Sequence, residues 1–130
     1  MTDVTNAGIQ VLKIEDGIAF RMGKAVSKKI LFPEMGAKHL TLNYGVHEPG
    51  MEFAQHIHAN SEDVIVCLKG HGMIRSGDTR LPFNAGEVIY VPAGIVHGTI
   101  NTGDEPLVMF SCQAPPDVAL YTQPAESEEP

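Results

Sequence analysis

The sequence predicts an all-β domain, a sandwich or barrel built from about ten short strands. Two observations carry that expectation. Short apolar runs, several of them alternating with polar residues, recur along the chain. Thirteen glycines and nine prolines fall between those runs at intervals too short for long helices.

Taken in order, residues 1–8 are polar and are expected to fray. Gly8 to Phe20 alternates enough for one or two strands around an Asp16-Gly17 turn. Ala25 to Pro33 holds a short apolar piece that proline stops. Leu40, Leu42, Tyr44 and Val46 alternate with Thr41, Asn43 and Gly45, the pattern of a half-buried strand. Glu48-Pro49-Gly50 is a turn. Val64 to Leu68 is rich in β-branched residues and reads as a buried strand. Ser76-Gly77-Asp78 suggests a three-residue hairpin loop between Met73–Arg75 and Thr79–Leu81. Val88 to Val91, His97 to Ile100 and Leu107 to Gln113 complete the set. Asp117 to Tyr121 is expected to form one helical turn, and the acidic tail from Gln123 to Pro130 to be disordered.

At 130 residues the chain predicts one domain over 1–130, with the barrel at about 9–113. A net charge of -7 argues against nucleic acid or an anionic membrane as partner, because little in the chain would neutralise phosphates. No stretch reaches the ~18 apolar residues of a membrane span. The opening M-T-D-V-T-N-A-G has neither a basic start nor an apolar run, so the expected location is cytoplasmic. Cys67 and Cys112 sit in apolar runs without a C-x-x-C pattern and read as buried free thiols.

The chemistry concentrates in G-M-E-F-A-Q-H-I-H, Gly50 to His58, with Glu62 and Asp63 just after it. In an extended segment His56 and His58 share a face. Imidazole is the commonest protein metal ligand, so the pair and a nearby carboxylate suggest a metal site. The same pair could equally be two surface histidines on an edge strand. His39, His47 and His71 border turns and read as solvated residues. Glu52 shares the phase of His56 and His58, which puts it near a pocket mouth. Tyr44, Phe53, Phe83, Tyr90 and Phe110 read as core or pocket wall.

Two segments resemble the paired motifs of the cupin superfamily, in its small single-domain form. Gly50, His56, His58 and Gly70 meet the first motif, which runs G, five residues, H-x-H, three or four residues, E, six residues, G. Gly86, Pro92, Gly94, His97 and Asn101 meet the second: G, five residues, P-x-G, two residues, H, three residues, N. The carboxylate departs from the pattern. Counting back from Gly70 puts Asp63 where the family has glutamate, and counting three residues from His58 puts Glu62 there. The Gly70 register favours Asp63.

The resemblance implies a double-stranded β-helix, or jelly roll, and a homodimer. Ile9 to Ile14, read as an edge strand, is the expected template for pairing with a second copy. The resemblance also implies one divalent transition metal on His56, His58, Asp63 and His97, or on the three histidines with water if the shorter aspartate falls short. Three imidazoles and a carboxylate suit Fe, Mn, Ni, Zn or Cu without selecting one. Asn101 is expected to cap the turn that follows it. Small members of the family include dioxygenases, isomerases, cyclases and lyases. The implied activity is that of a metal enzyme on a small oxygenated substrate, dioxygenase-type first and redox-neutral second, with a non-catalytic ligand cup as the alternative.

Overall fold

The computed structural model describes residues 8–22 and 25–117. Among the described residues nine antiparallel strands form two sheets, a six-stranded one in the order β1-β2-β3-β9-β4-β7 and a three-stranded one in the order β6-β5-β8. The strands are β1 (Ile18–Met22), β2 (Ala25–Leu31), β3 (Thr41–His47), β4 (Glu62–Lys69), β5 (His71–Ser76), β6 (Thr79–Asn84), β7 (Val88–Val91), β8 (Gly98–Ile100) and β9 (Leu107–Ala114). The all-β double-stranded β-helix is the architecture that the sequence predicts.

Several local expectations need correction. The pairing expected across Asp16-Gly17 does not form. Ile14–Asp16 is a single 3-10 turn, residues 9–13 belong to no strand, and the first hairpin pairs β1 with β2. The sheet therefore begins at Ile18, and the edge strand invoked for dimerisation at Ile9 to Ile14 is absent. In the β5–β6 hairpin Ser76 pairs with Thr79, so its loop is the two residues Gly77 and Asp78 rather than three. Gly77 has φ +58°, as the tight hairpin turns require. Beyond Asp117 the helical turn expected at Asp117 to Tyr121 lies outside the described residues, as do the tail from Gln123 and residues 1–7, where fraying is expected.

Strand β3 alternates as expected, but its buried face is the polar one. Thr41, Asn43, Gly45 and His47 point into the barrel, while Leu42, Tyr44 and Val46 are only partly covered on the outside. The inward faces of β4 and β9 grade along their length. Asp63 lies opposite Gln113, Ile65 opposite Ser111 and Cys67 opposite Met109. The apolar end of that gradient joins Ile74, Phe83 and Leu107 in the main core cluster. Burying these side chains supplies most of the fold's driving force, at about 25 cal/mol per Å². Val64 to Leu68 is thus one-faced rather than wholly buried: Leu68 is 47% exposed.

Cys67 and Cys112 are free thiols, the first buried and the second partly so. Among the described residues no helix is long and apolar enough to cross a membrane.

A candidate metal centre

The H-x-H segment is extended but bonds as a strand at isolated points only. It runs antiparallel to β8, with bridges from Glu52 to Ile100 and from His56 to His97. His56 N donates to His97 O, and His97 N to His56 O, both at 2.9 Å. The turn at Pro92 to Gly94 reaches the same place, since Gly94 N donates to His58 O at 2.9 Å. Gly94 takes φ +82°, a conformation that glycine adopts without strain. Asn101 closes the other end of the segment. Its Nδ2 donates to His47 O and Glu105 O, and its Oδ1 accepts from Gly103 N. It caps the following turn, as expected.

These elements bring His56, His58, Asp63 and His97 together, with one ligand atom from each within 4.8 Å of the others. Asp63 and not Glu62 enters the barrel. Asp63 is 3% exposed, whereas Glu62 is exposed and accepts a hydrogen bond from Tyr90 Oη at 2.7 Å. The reason is the period of two along β4, which sends neighbouring side chains to opposite faces.

The ring nitrogens are sorted by their partners. His56 Nδ1 lies 2.8 Å from Ala54 O, His97 Nδ1 2.9 Å from Ile95 O, and His58 Nδ1 2.9 Å from Asp117 Oδ2. Each partner can only accept, so each Nδ1 carries a proton, and in the neutral ring each Nε2 keeps its lone pair. His97 Nε2 then sits 2.9 Å from Asp63 Oδ2, and His58 Nε2 3.6 Å from the same oxygen. Electron-rich atoms at 2.9 Å need a cation or a proton between them. Two neighbouring ligands held at about 2.1 Å from one metal are separated by about 3 Å, so the spacing fits an ion. His58 Nε2 is buried with no hydrogen-bond partner, and coordination to a metal would occupy its lone pair. The residues fit the group.

Electrostatics at His56 and Asp63 agree with that donor set. Burial pulls His56 down to about 4, helped by the neighbouring His97 and His58 and opposed by its bond to Ala54 O. Neutral imidazole is the form a metal binds. Burial pushes the Asp63 carboxyl up, but His58, His97 and the Gln113 amide outweigh it and hold the group well below the usual carboxylate range. At His58 burial pulls down, and the carboxylates of Asp63 and Asp117 more than offset it, favouring a proton that a bound metal would displace.

The centre opens onto a cleft with about 490 Å³ of empty space, mouth included. Phe20, Phe53, Ile65 and Met109 give it apolar walls, and Ser27, Asn43, Thr99, Ser111 and Gln113 line it with neutral polar groups. No lysine or arginine lines it among the described residues.

The profile of the cupin domain matches residues 44–112, just over half of the chain. The chain belongs to the cupin family. An uncharacterized protein of Bacillus subtilis, YrkC, is 32% identical over 52% of this cupin and 40% of its own length. The glucose-6-phosphate isomerase of Pyrococcus horikoshii is 38% identical over 43% of this chain and 33% of the isomerase. This cupin therefore spans less than half of those two relatives. Among solved structures, the polyketide cyclase RemF of Streptomyces resistomycificus superposes with a TM-score of 0.71, covering 83% of this chain and 80% of the cyclase. At 20% identity that likeness speaks to the fold alone.

Four residues of this cupin stand elsewhere than the sequence reading puts them. His47 is no solvated turn residue: it is fully buried on β3, with Nε2 3.0 Å from Thr99 Oγ1. Burial takes its imidazole down to about 4, against a backbone hydrogen bond at Val46. Glu52 lies outside the cleft lining and pairs with Arg75 at 3.1 Å. Tyr90, expected in the core or pocket wall, is 57% exposed. Gln113 joins the site unannounced, although its phase with Met109 and Ser111 on β9 was the signal that could have placed it. His39 and His71 are exposed, as expected.

Proposed function

We propose that this cupin is a mononuclear metal enzyme acting on a small, neutral, oxygen-bearing organic molecule, with His56, His58, Asp63 and His97 as the ligands. The observation that carries the reading is the convergence of four donors on a cleft without lining cations. When bound there, a divalent transition metal supplies a Lewis acid with open positions for substrate oxygens and, if redox-active, for dioxygen. The chain's own residues would do the rest. Phe20, Phe53 and Met109 exclude water, and Ser27, Asn43 and Ser111 offer neutral hydrogen bonds that orient hydroxyl or carbonyl groups. A sugar phosphate fits poorly, because no lysine or arginine lines the cleft to meet its charge.

Dioxygenase-type chemistry is the leading reading. Apart from the proposed ligands, His47 is the one titratable side chain lining the cleft among the described residues, and burial leaves it a weak base. A redox-neutral isomerisation or cyclisation needs a proton carrier of better-matched strength. Oxygen-dependent cleavage makes no such demand on the walls. The redox-neutral reading is second, supported by the isomerase relative and by His47 if substrate displaces its bond to Thr99.

Elemental analysis of the purified protein, with dioxygen uptake on catechols, flavonols and β-diketones, tests both. Absence of stoichiometric metal removes the whole reading. Substrate turnover that proceeds equally without dioxygen removes the oxygenase and leaves the redox-neutral enzyme. A homodimer and a cytoplasmic location belong to the same reading. Exposed Val26, Leu68, Val88 and Tyr90 on the outer face of the large sheet support the dimer. Light scattering at the 14.0 kDa monomer mass would count against it.

A further inference from the structure

The three histidines are not held alike. His56 and His97 each donate Nδ1–H to the backbone carbonyl two residues before them, Ala54 and Ile95. Those acceptors are part of the turns that carry the rings, so side-chain changes elsewhere leave them in place. His58 has no such partner. Its Nδ1 lies 2.9 Å from Oδ2 of Asp117, a residue 59 positions later and beyond the last strand. Asp117 also lies outside residues 44–112, the span matched by the cupin domain profile.

The chain after β9 is brought to this place by a second contact. Ser61 Oγ donates to Pro115 O at 2.5 Å, tying residues 114–117 to the loop that follows His58. His58 itself is 1% exposed, and its Nε2 finds no hydrogen-bond partner. One ring nitrogen is therefore fixed by a carboxylate, and the other is aimed, unpartnered, into the centre.

We infer that Asp117 is the positioning residue for His58, and that through this ring it sets how tightly the centre holds a divalent cation. The inference rests on the metal reading above. A carboxylate on the far nitrogen of a ligating imidazole does three things. It fixes the tautomer with the proton on Nδ1, it locks the ring's rotation, and it makes Nε2 a stronger donor. The backbone carbonyls at His56 and His97 do the first two without carrying a full charge. Asp117 makes His58 the ligand whose strength depends on a segment outside the barrel.

The test compares Asp117→Ala and Asp117→Asn with the intact chain and with His58→Ala. Affinity for Zn(II), Ni(II) and Co(II) is read by competition with a chromogenic chelator. Asp117→Ala is expected to weaken binding about 10–100-fold, the range typical of lost supporting groups. Asp117→Asn keeps an acceptor and loses the charge, so its loss is smaller, and the Co(II) absorption spectrum shifts in both variants. Binding within twofold of the intact chain in Asp117→Ala, with His58→Ala unable to bind, overturns the inference and spares the metal reading.

A second readout needs no metal. Long-range ¹H–¹⁵N spectra of the metal-free protein at alkaline pH report the His58 tautomer directly. Proton on Nδ1 in the intact chain and a mixture in Asp117→Ala supports the positioning role. An unchanged tautomer overturns it. If the intact chain binds none of the three metals, the metal reading falls, the claim about cation affinity falls with it, and this readout alone decides whether Asp117 fixes the ring.

Discussion

Gln113 Nε2 donates to Asp63 Oδ1 at 2.9 Å, across the β9–β4 pair in which the two residues stand directly opposite. The amide's other end accepts from Thr41 Oγ1 at 2.8 Å and from Asn43 Nδ2 at 2.9 Å. Two donors on β3 thus fix which way the amide faces, and the amide fixes one oxygen of Asp63. The other oxygen is left toward His97 and His58.

Gln113→Ala is expected to leave Asp63 Oδ1 and the Thr41 hydroxyl without these partners inside the barrel. A buried polar group so orphaned costs about 1–3 kcal/mol. Urea unfolding of the metal-free protein measures it, and a midpoint equal to that of the intact chain would show the network to be dispensable.

Asp63→Ala is expected to weaken binding of a divalent metal strongly, and His58→Ala to remove it. Glu62→Ala should change little, because that carboxylate meets only the Tyr90 hydroxyl at the surface. Chelator competition on the three variants checks the set. Equal losses in the two carboxylate variants would contradict the assignment of the inward face of β4.

His47 should cost the metal-free protein stability as pH falls from about 6.5 toward 4. Burial holds His47 at about 4 instead of 6.5, so between those values the unfolded chain binds a proton that the folded chain refuses. The folded state is favoured above that window and penalised within and below it, by on the order of 3 kcal/mol for this one group. His47→Gln keeps a hydrogen bond to Thr99 without titrating, and should flatten the slope. His56 and His58 remain in both proteins, so the difference isolates His47. Parallel pH profiles of the urea midpoint would refute the assignment.

Gly98→Ala is expected to destabilise the fold by about 1–3 kcal/mol, in the manner of an overpacked interior. A Cβ at this position would meet Phe53 O at 2.7 Å and the Ala54 carbonyl at 3.2 Å. The same displacement would push the His56 segment off β8, so metal affinity should fall together with the melting temperature. Loss of one without the other would separate the two roles.

Much of the strand set is legible because it rests on short-range rules, whereas the four-residue cluster is legible through the resemblance to the cupin motifs. Period-two alternation places β3, a run of β-branched residues places β4, and the paired motifs imply that His56, His58 and His97 share one locus. What it hides depends on which side of a strand becomes the inside. On β3 the more apolar face turns outward, against the usual rule, because a barrel with a site at its centre needs polar groups within. His47 and Gln113 were obscured for that reason. Asp117 was obscured for another: its contact with His58 spans 59 residues, and no local pattern encodes it. Ile9 to Ile14 shows the converse, an alternating stretch that finds no neighbour to pair with and stays outside the sheet.

The gradient along β4 and β9 has a consequence for how this chain can change. Asp63 and Gln113 stand at one end of the paired strands, and Cys67 and Met109 further along toward Leu107. Substitutions at the wet end can exchange one chemistry for another while the dry end goes on holding the barrel shut. Tolerance to new activity and resistance to heat are then separate traits, inherited from different stretches of the same two strands. A library that varies Ser27, Asn43 and Ser111 while leaving Ile65, Cys67, Phe83 and Leu107 untouched should return mostly folded proteins.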